Sequence, residues 1–569
     1  MTLDGLTLHF AVREIKQELT SCKVDKVHQP QPDTIVLALR APGKNPRLLI
    51  CAGASDSRMH LTENKYENPK TPPMFCMFLR KYLTSATITD VSQTELERIV
   101  SISLETKDEL GLPRKMTLVA ELMGKYSNVM LLNENGIIMD SMRHVTETQS
   151  RVRSVLPGLA YELPQSDKLN PMTASQEAVA EALSLRGAKG MRGWLSKVLQ
   201  GVSTQTADEL LCREQHEGGE DAFASMVKAF FETVPEPTMY SHTGVPFFFA
   251  PWPYKSAAGE TQTFETVNVM LDGYYFRLRE IALIGRKRDH MERVVAKQLE
   301  KQGTLLEKQI FAVEQMKQAE QYKVYGDLVT ANIYRISRGM SMLAAQDFET
   351  GEDVAVPLDI KLSPAANAQK YYKKYNKLKS GMEMASARMR ATQESVTFLE
   401  SVQASLNSCE TLSELSEVEY ELIHAGVIRS TGKANVRPTE MPSSPHRFVS
   451  SDGVTIYAGK NNRQNDDLTM RRAQPDDIWL HVKDIPGSHV LISGVKGKAP
   501  QRTLLEAAVI AATLSKAGAS AKVAVDYAPR KNVRKPNGAK PGMVVYEGYN
   551  TLMVAPDKEL FERLLKAAQ

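Results

Sequence analysis

Cysteine is scarce in this chain and does not organise it. The five cysteines among 569 residues (Cys22, Cys51, Cys76, Cys212 and Cys409) are odd in number and never spaced C-x-x-C. That argues against a disulfide framework and a zinc ribbon and fits a reducing compartment. No apolar run approaches membrane-spanning length, and the N-terminus lacks a basic segment followed by an apolar one. The expected location is therefore the cytoplasm, with no membrane partner. An excess of one charge is also missing. Lys and Arg total 71 against 67 Asp and Glu, a net charge of +4. Any contact with nucleic acid must then come from local patches. Catalytic signatures are absent too: no G-x-S-x-G, no H-E-x-x-H, no Walker A loop, no G-x-G-x-x-G after a strand. His481, Asp484 and His489 could be drawn as metal ligands, but a fourth ligand is missing. Neither a cofactor nor a metal is expected.

What the chain does have is core. Hydrophobic residues make up 42% and charged residues 24%, enough for roughly three or four folded domains. Residues 1–168 suggest an α/β domain: a helix over 6–19, strands at 23–28, 34–39 and 47–52, then a helix over 74–83 behind a Pro-rich turn. Further strands are expected at 99–104 and 117–122, with a hairpin turning at Asn133 to Gly136. Residues 169–235 change to short helices. The run around Gln200, Gly201, Val202 and Ser203 between two helices is the pattern of a helix-hairpin-helix, whose turn amides can hold a phosphate. Two helices joined by a necessary glycine explain it equally well. A basic Gly-rich loop precedes it, with Arg186, Gly187, Lys189, Gly190 and Arg192. Strands are expected again within 236–272, including 263–270, and could rejoin the first sheet.

Residues 273–428 carry the clearest periodicity. Val295, Leu299, Leu306, Ile310, Val313 and Met316 recur at intervals of three, four or seven, as do Leu378, Met382, Met389, Val396, Leu399, Val402 and Leu406 on the return. This predicts an antiparallel coiled coil with a small tip turning at Gly351. At 1.5 Å per residue, an arm of about sixty residues would reach on the order of 90 Å.

After a Pro- and Ser-rich linker, residues 446–569 form a last α+β domain. A polar loop is expected over 459–465, followed by a hairpin over 478–492 with its turn at Asp484 to Gly487. Period-2 counting puts Trp479, His481 and Lys483 on one face, with His489 at the corner. Such a face can stack bases and contact phosphates, or it can be an ordinary hairpin with a core Trp. Downstream, Arg530, Lys531, Arg534, Lys535 and Lys540 occur against no acid within 529–540, a footprint suited to a phosphate backbone.

Several runs in order carry a family resemblance: PPMFCMFLRKYL at 72–83, ELMGKYSN at 121–128, PGLAY at 157–161, LDGYY at 271–275, the 478–492 hairpin, and KPNGAKPG at 535–542. Around a coiled coil, they resemble the NFACT family of bacterial RqcH and eukaryotic NEMF, formerly labelled fibronectin-binding protein A-like. The resemblance covers essentially the full length. It implies a multidomain α+β fold: an NFACT-N domain (1–168, with strands from 236–272), a helix-hairpin-helix insertion (169–235), the coiled coil (273–428) and an NFACT-R RNA-binding domain (446–569). It implies a ribosome-associated quality-control factor that binds the large ribosomal subunit obstructed by peptidyl-tRNA. Such a factor recruits alanyl-tRNA and supports mRNA-independent alanine tailing of the stalled chain for degradation. It implies no catalytic residue, since the ribosome performs peptidyl transfer. Its implied partners are tRNA, rRNA and an RqcP-type small RNA-binding factor. The older label offers an alternative, a surface adhesin binding fibronectin.

Carried over by residue, the family's N-terminal Asp-Arg pair falls on Glu97 and Arg98. Glu97 departs from the pattern by one methylene. Glu121, Leu122 and Met123 match a second motif of the same tRNA-facing region. The N-terminal domain also resembles formamidopyrimidine-DNA glycosylase. Thr2 stands where that family has its nucleophilic proline and zinc-finger cysteines are missing, so glycosylase chemistry is not expected.

Overall fold

The structure, a computed structural model, describes residues 3–107, 111–148, 153–184, 191–217, 220–429 and 443–568. Two compact units divide the chain, Met1–Ile281 and Ala282–Gln569. Among the described residues no helix is long and apolar enough to cross a membrane.

The first unit opens with α1 (Gly5–Leu19), capped by Asp4, whose carboxylate accepts the Thr7 amide at 2.8 Å. Then come β1 (Lys23–Gln31), β2 (Thr34–Arg40), β3 (Arg47–Cys51), β4 (Arg58–Leu61), α2 (Met74–Leu83), β5 (Thr87–Gln93), β6 (Ile99–Lys107), β7 (Pro113–Glu121), β8 (Asn128–Asn133) and β9 (Ile138–Ser141). These strands make one nine-stranded sheet in the order β4-β3-β2-β1-β5-β6-β7-β8-β9. Each pairing between them is antiparallel, so the α/β domain expected here is built on a meander rather than on parallel crossovers. Alternate residues of β1 to β3 (Val24, Val27, Ile35, Leu37, Leu39, Leu48 and Ile50) share one core with α1 and α2. Their neighbours point to the opposite face.

Four helices follow: α3 (Gln176–Ser184), α4 (Met191–Val198), α5 (Thr204–Glu217) and α6 (Glu220–Glu232). Gly201, between α4 and α5, has φ +77°, the left-handed conformation a tight helix hairpin needs. The turn is packed, not open. Its carbonyl accepts the Leu6 amide, Leu96 lies 3.2 Å from where a Cβ would sit, and the Gln200 amide bonds the Glu95 carboxylate at 2.5 Å. This corrects the expectation of a phosphate site at the turn: its backbone is committed to the core. The Gly-rich loop at 186–190 lies outside the described residues.

The strands at 236–272 do not rejoin the nine-stranded sheet. β10 (Thr238–His242), β11 (Val245–Ala250) and β12 (Glu260–Thr263) form a separate sheet in the order β11-β10-β12, though Phe248 and Phe249 enter the same core. The strand expected over 263–270 ends at Thr263, and α7 (Val267–Met316) begins instead. Its β-branched start is held helical by Glu14, whose carboxylate accepts the Val267 and Asn268 amides at 2.8 and 2.9 Å.

In the second unit α7 is followed by α8 (Ala319–Ala331), the tip hairpin β13 (Met342–Gln346) and β14 (Asp353–Pro357), α9 (Pro364–Ser408) and α10 (Leu412–His424). α7 and α9 run antiparallel: Met316 meets Gly381 at one end, and Arg288 bonds the Cys409 carbonyl at the other. Met291, Val295, Phe398, Leu399, Val402 and Leu406 fill their seam, as the heptad spacing predicts. The arm is shorter than the spacing suggested. α9 has 45 residues, about 68 Å at 1.5 Å each, because the chain turns before α10.

The last domain contains β15 (His446–Val449), β16 (Thr455–Ala458), α11 (Asn462–Asp467), β17 (Ile478–Val482), β18 (Val490–Ile492), α12 (Gln501–Thr513), β19 (Val523–Pro529), β20 (Val533–Arg534), β21 (Val545–Tyr546), β22 (Asn550–Val554) and α13 (Lys558–Lys566). Its main sheet runs β15-β16-β18-β17-β19-β22, with α12 and α13 sharing its core. The polar stretch expected as a loop over 459–465 is instead the start of α11, capped by the Asn461 side chain and continued by a π-helical turn over 468–472.

Candidate nucleic-acid interface

The meander explains why two motifs far apart in sequence belong together. Ile99 at the start of β6 pairs with Glu121 at the end of β7, and the Leu122 amide donates to the Arg98 carbonyl at 2.8 Å. Glu97 and Arg98 therefore lie beside Glu121, Leu122 and Met123 at one end of the nine-stranded sheet.

Their environments differ sharply. Glu121 is fully buried, with one carboxylate oxygen on the Arg153 guanidinium and the other accepting the Tyr161 hydroxyl at 2.9 Å. Burial and that carboxylate together push the Tyr161 hydroxyl well above its ordinary pKa, so it stays a donor. Leu122 is also fully buried, in the main core. Neither side chain is presented for direct contact with RNA, which corrects the expectation for both. Glu121 fixes the segment at 153–161 against the end of the strand, and Leu122 anchors the turn. Glu97 is partly exposed, and its carboxylate accepts the Ser166 hydroxyl at 2.6 Å. The partly exposed Arg98 differs again. Among the described residues its guanidinium has neither a hydrogen bond nor an ion pair. A cation held by a backbone hydrogen bond, with its five donors unspent, can bind a phosphate or a base edge.

Sequence reasoning missed Lys125 and Tyr126, just beyond Met123. Gly124 has φ +62° and turns the chain outward, leaving Tyr126 68% exposed with Lys125 Nζ 4.9 Å from the ring centroid. An exposed aromatic beside cations suits base stacking. The signal was available in the run that supplied Glu121 to Met123, one glycine further on.

The C-terminal hairpin is antiparallel as expected, with Ile478 opposite Ile492 and Leu480 opposite Val490. Its polar face is not a surface. Trp479 has no exposure and packs among His481, His489 and Tyr546, with ring centroids 5.9, 5.2 and 4.9 Å away. His489 is buried as well, its Nδ1 2.7 Å from the Thr469 hydroxyl. Burial lowers the His481 pKa to about 4 and that of His489 well below its ordinary value, so both rings are neutral. Trp479 and His489 therefore cannot meet RNA as the structure stands, a correction with a simple cause. Period-2 counting placed the residues on one face correctly, but the π-helical turn and β21 cover that face. Lys483 lies 5.4 Å from the Tyr549 ring. Among the described residues the ligand grouping compatible with a metal is Asp33, Cys51 and Asp56, not the hairpin histidines, and Arg58 already pairs with Asp56 at 2.8 Å.

The cationic segment is paired within the fold but not wholly buried. Arg530 Nε donates to the Thr469 carbonyl at 2.8 Å and braces the π-helical turn. Lys531 pairs with Asp476 at 3.0 Å, Arg534 with Glu547 and Lys535 with Asp466. Lys540 reaches Ser395 at 3.1 Å and sits over the Phe398 ring, and burial lowers its pKa. The acids missing locally arrive from elsewhere in the chain. The Lys531 and Arg534 pairs remain exposed and are weak enough to exchange for phosphate.

The polar residues before the hairpin form an internal joint. Glu414, Glu417 and Glu421 make a buried stripe along α10. Lys460 reaches Glu414 at 2.5 Å, Asn461 reaches Glu417 at 2.6 Å, and Asn462 reaches Glu421 at 2.8 Å. The other Glu421 oxygen has no partner among the described residues, and burial raises the pKa of its carboxyl to about 7.

Residues 4–440 match the NFACT N-terminal and middle domains, and residues 444–548 match the NFACT protein RNA binding domain. The chain is 33% identical over 584 residues to "Rqc2 homolog RqcH" of Bacillus subtilis (strain 168), covering 100% of both chains. It is 33% identical over 562 residues to the protein of the same name from Streptococcus suis, covering 98% of this chain and 99% of that one. A solved structure, the N-terminal part of the fibronectin/fibrinogen-binding protein from Streptococcus suis, is 32% identical, with a TM-score of 0.43, over 48% of this chain and 98% of that one.

Proposed function

The chain belongs to the NFACT family, and from that premise we propose that it is a ribosome quality-control factor acting on large subunits obstructed by peptidyl-tRNA. It recruits tRNA, alanyl-tRNA in the reading supported by its RqcH relatives, and promotes mRNA-independent alanine tailing of the stalled chain. Peptidyl transfer belongs to the ribosome; this chain binds and positions. The work is cytoplasmic, with rRNA and an RqcP-type small RNA-binding factor as partners.

The observation that carries this reading is Arg98. It is anchored at the end of the sheet through its carbonyl, which accepts the Leu122 amide, with a guanidinium that nothing else engages among the described residues. Hydrogen bonds to a charged group are worth about 1.5–3 kcal/mol, so one such contact can decide whether a tRNA stays. Glu97, kept in place by Ser166, presents an acceptor beside it in the chain. Glu121 and Leu122 hold the platform rigid from behind. The domain matched as RNA-binding contributes the exposed, exchangeable cations Lys531 and Arg534.

Crosslinking in cells, followed by sequencing of the attached RNA, tests the reading. tRNA and large-subunit rRNA should be recovered. Recovery of neither, with binding to immobilised fibronectin instead, would overturn it.

A further inference from the structure

We propose that a trough on the far face of the nine-stranded sheet, walled by Lys26, Arg47 and Lys65, is a second RNA site that takes a phosphodiester backbone. The inference rests on the RNA-binding reading above and adds a site to it, on a part of the first unit that the family motifs do not touch.

The register builds the trough. Lys26 on β1 pairs with Ala38 on β2, and Ala38 pairs with Arg47 on β3, so two cations flank one small side chain in a single cross-strand row. With strands about 4.8 Å apart, the two cations stand roughly 10 Å from each other across a gap that the methyl of Ala38 does not fill. The adjacent row, His28–Val36–Leu49, continues the floor. Tyr66 packs on Val36, Leu49 and Cys51 and closes one end, bringing Lys65 to the rim. The result is a groove of about 390 Å³.

Its charges are unspent. Among the described residues neither Lys26 nor Lys65 forms an ion pair, and the one bond of Arg47 is to the Asn64 carbonyl at 3.5 Å. Asp25 is the single acid in the lining. Like charges near each other on a sheet face repel, so three cations against the single acid of the lining favour an anion from outside. His28 feels the same field: burial lowers its pKa first, and then the charges of Arg80, Lys26 and Arg47 lower it further. The rim also carries the amides Asn45, Asn64 and Asn68, which both donate and accept. Ribose hydroxyls and base edges use both kinds of group, whereas the carboxylates of an acidic peptide only accept. That favours RNA.

The test uses the full chain with Lys26→Gln, Arg47→Gln and Lys65→Gln combined, titrated with a tRNA transcript over a range of salt. A Lys26→Gln, Lys65→Gln pair serves as the second variant, since both side chains are exposed and exposed substitutions usually change stability little. The expected result is an affinity at least about tenfold lower at low salt. The slope of log affinity against log salt should also be about 2–3 smaller for the triple variant, at 0.7–0.9 per phosphate contact. An unchanged slope and affinity, with Arg98→Ala still weakening binding, would overturn the groove and leave the proposed function standing. Failure of the unmodified chain to bind tRNA would remove both. Loss of poly-L-glutamate binding with tRNA binding intact would assign the groove to an acidic peptide and overturn the proposal.

Discussion

Two basic regions of this chain reverse their apparent roles on folding. The segment from Arg530 to Lys540 is dense in cations along the chain, yet three of its five charges are matched by Asp476, Asp466 and Glu547, and the other two are spent on Thr469 and Ser395. Lys26, Arg47 and Lys65 are dispersed in sequence, yet they line one trough and form no ion pair among the described residues. A run of basic residues therefore says little about electrostatic potential until the partners of each charge are known. Cations that remain unpaired after folding, Arg98 among them, are the ones with charge left to offer a phosphate.

The sharpest way to break the comparison is at Trp479. If it belongs to the core, Trp479→Ala costs about 3–5 kcal/mol of stability in the second unit, seen as a large fall in the midpoint of denaturant unfolding. A variant with unchanged stability but weaker RNA binding would return the hairpin to the surface.

Next in size is the Glu421 joint. The folded carboxyl titrates near 7, above its ordinary 4.5, so the folded state holds the extra proton between those values. Stability from this group is complete below about pH 4.5 and falls as pH rises to about 7, by up to roughly 3 kcal/mol. Glu421→Gln keeps an oxygen for Asn462 and needs no proton. Its unfolding free energy should vary less over that range and exceed that of the unmodified chain at pH 8. Parallel profiles for the two chains would contradict the joint.

The smallest effect is expected at Arg534. Its ion pair with Glu547 is exposed on both sides, so Arg534→Ala should change stability by less than about 0.5 kcal/mol and lower RNA affinity only slightly. A large loss of binding would mean that paired surface cations matter as much as free ones.

These contrasts also show which features could be read from the residues. α2 was legible because a Pro-rich turn hands over to an apolar helical run, and the coiled coil because its repeat is long. β4 was not, since Arg58 and His60 are buried in it and break the apolar alternation. α11 looked like a loop because it is short and four of its six residues are Asn or Asp, which favour helices weakly; an Asn461 cap and the acids of α10 stabilise it. Of the candidate site, Arg98 and the grouping of its motif with the one at 121–123 followed from the family pattern. The burial of Glu121 and Leu122, the lid over Trp479 and the acids opposite Lys531, Arg534 and Lys535 depend on segments distant in sequence, which no local pattern encodes.

The most direct measurement concerns Arg98. A reporter stalled in cells that rely on this chain is purified, and its C-terminal extension is sequenced by mass spectrometry, with the unmodified chain and with Arg98→Ala at equal protein levels. The account predicts alanine tails with the unmodified chain and their loss with the variant, whose folding stability stays within about 0.5 kcal/mol. Tails of the same length and composition in both would contradict it.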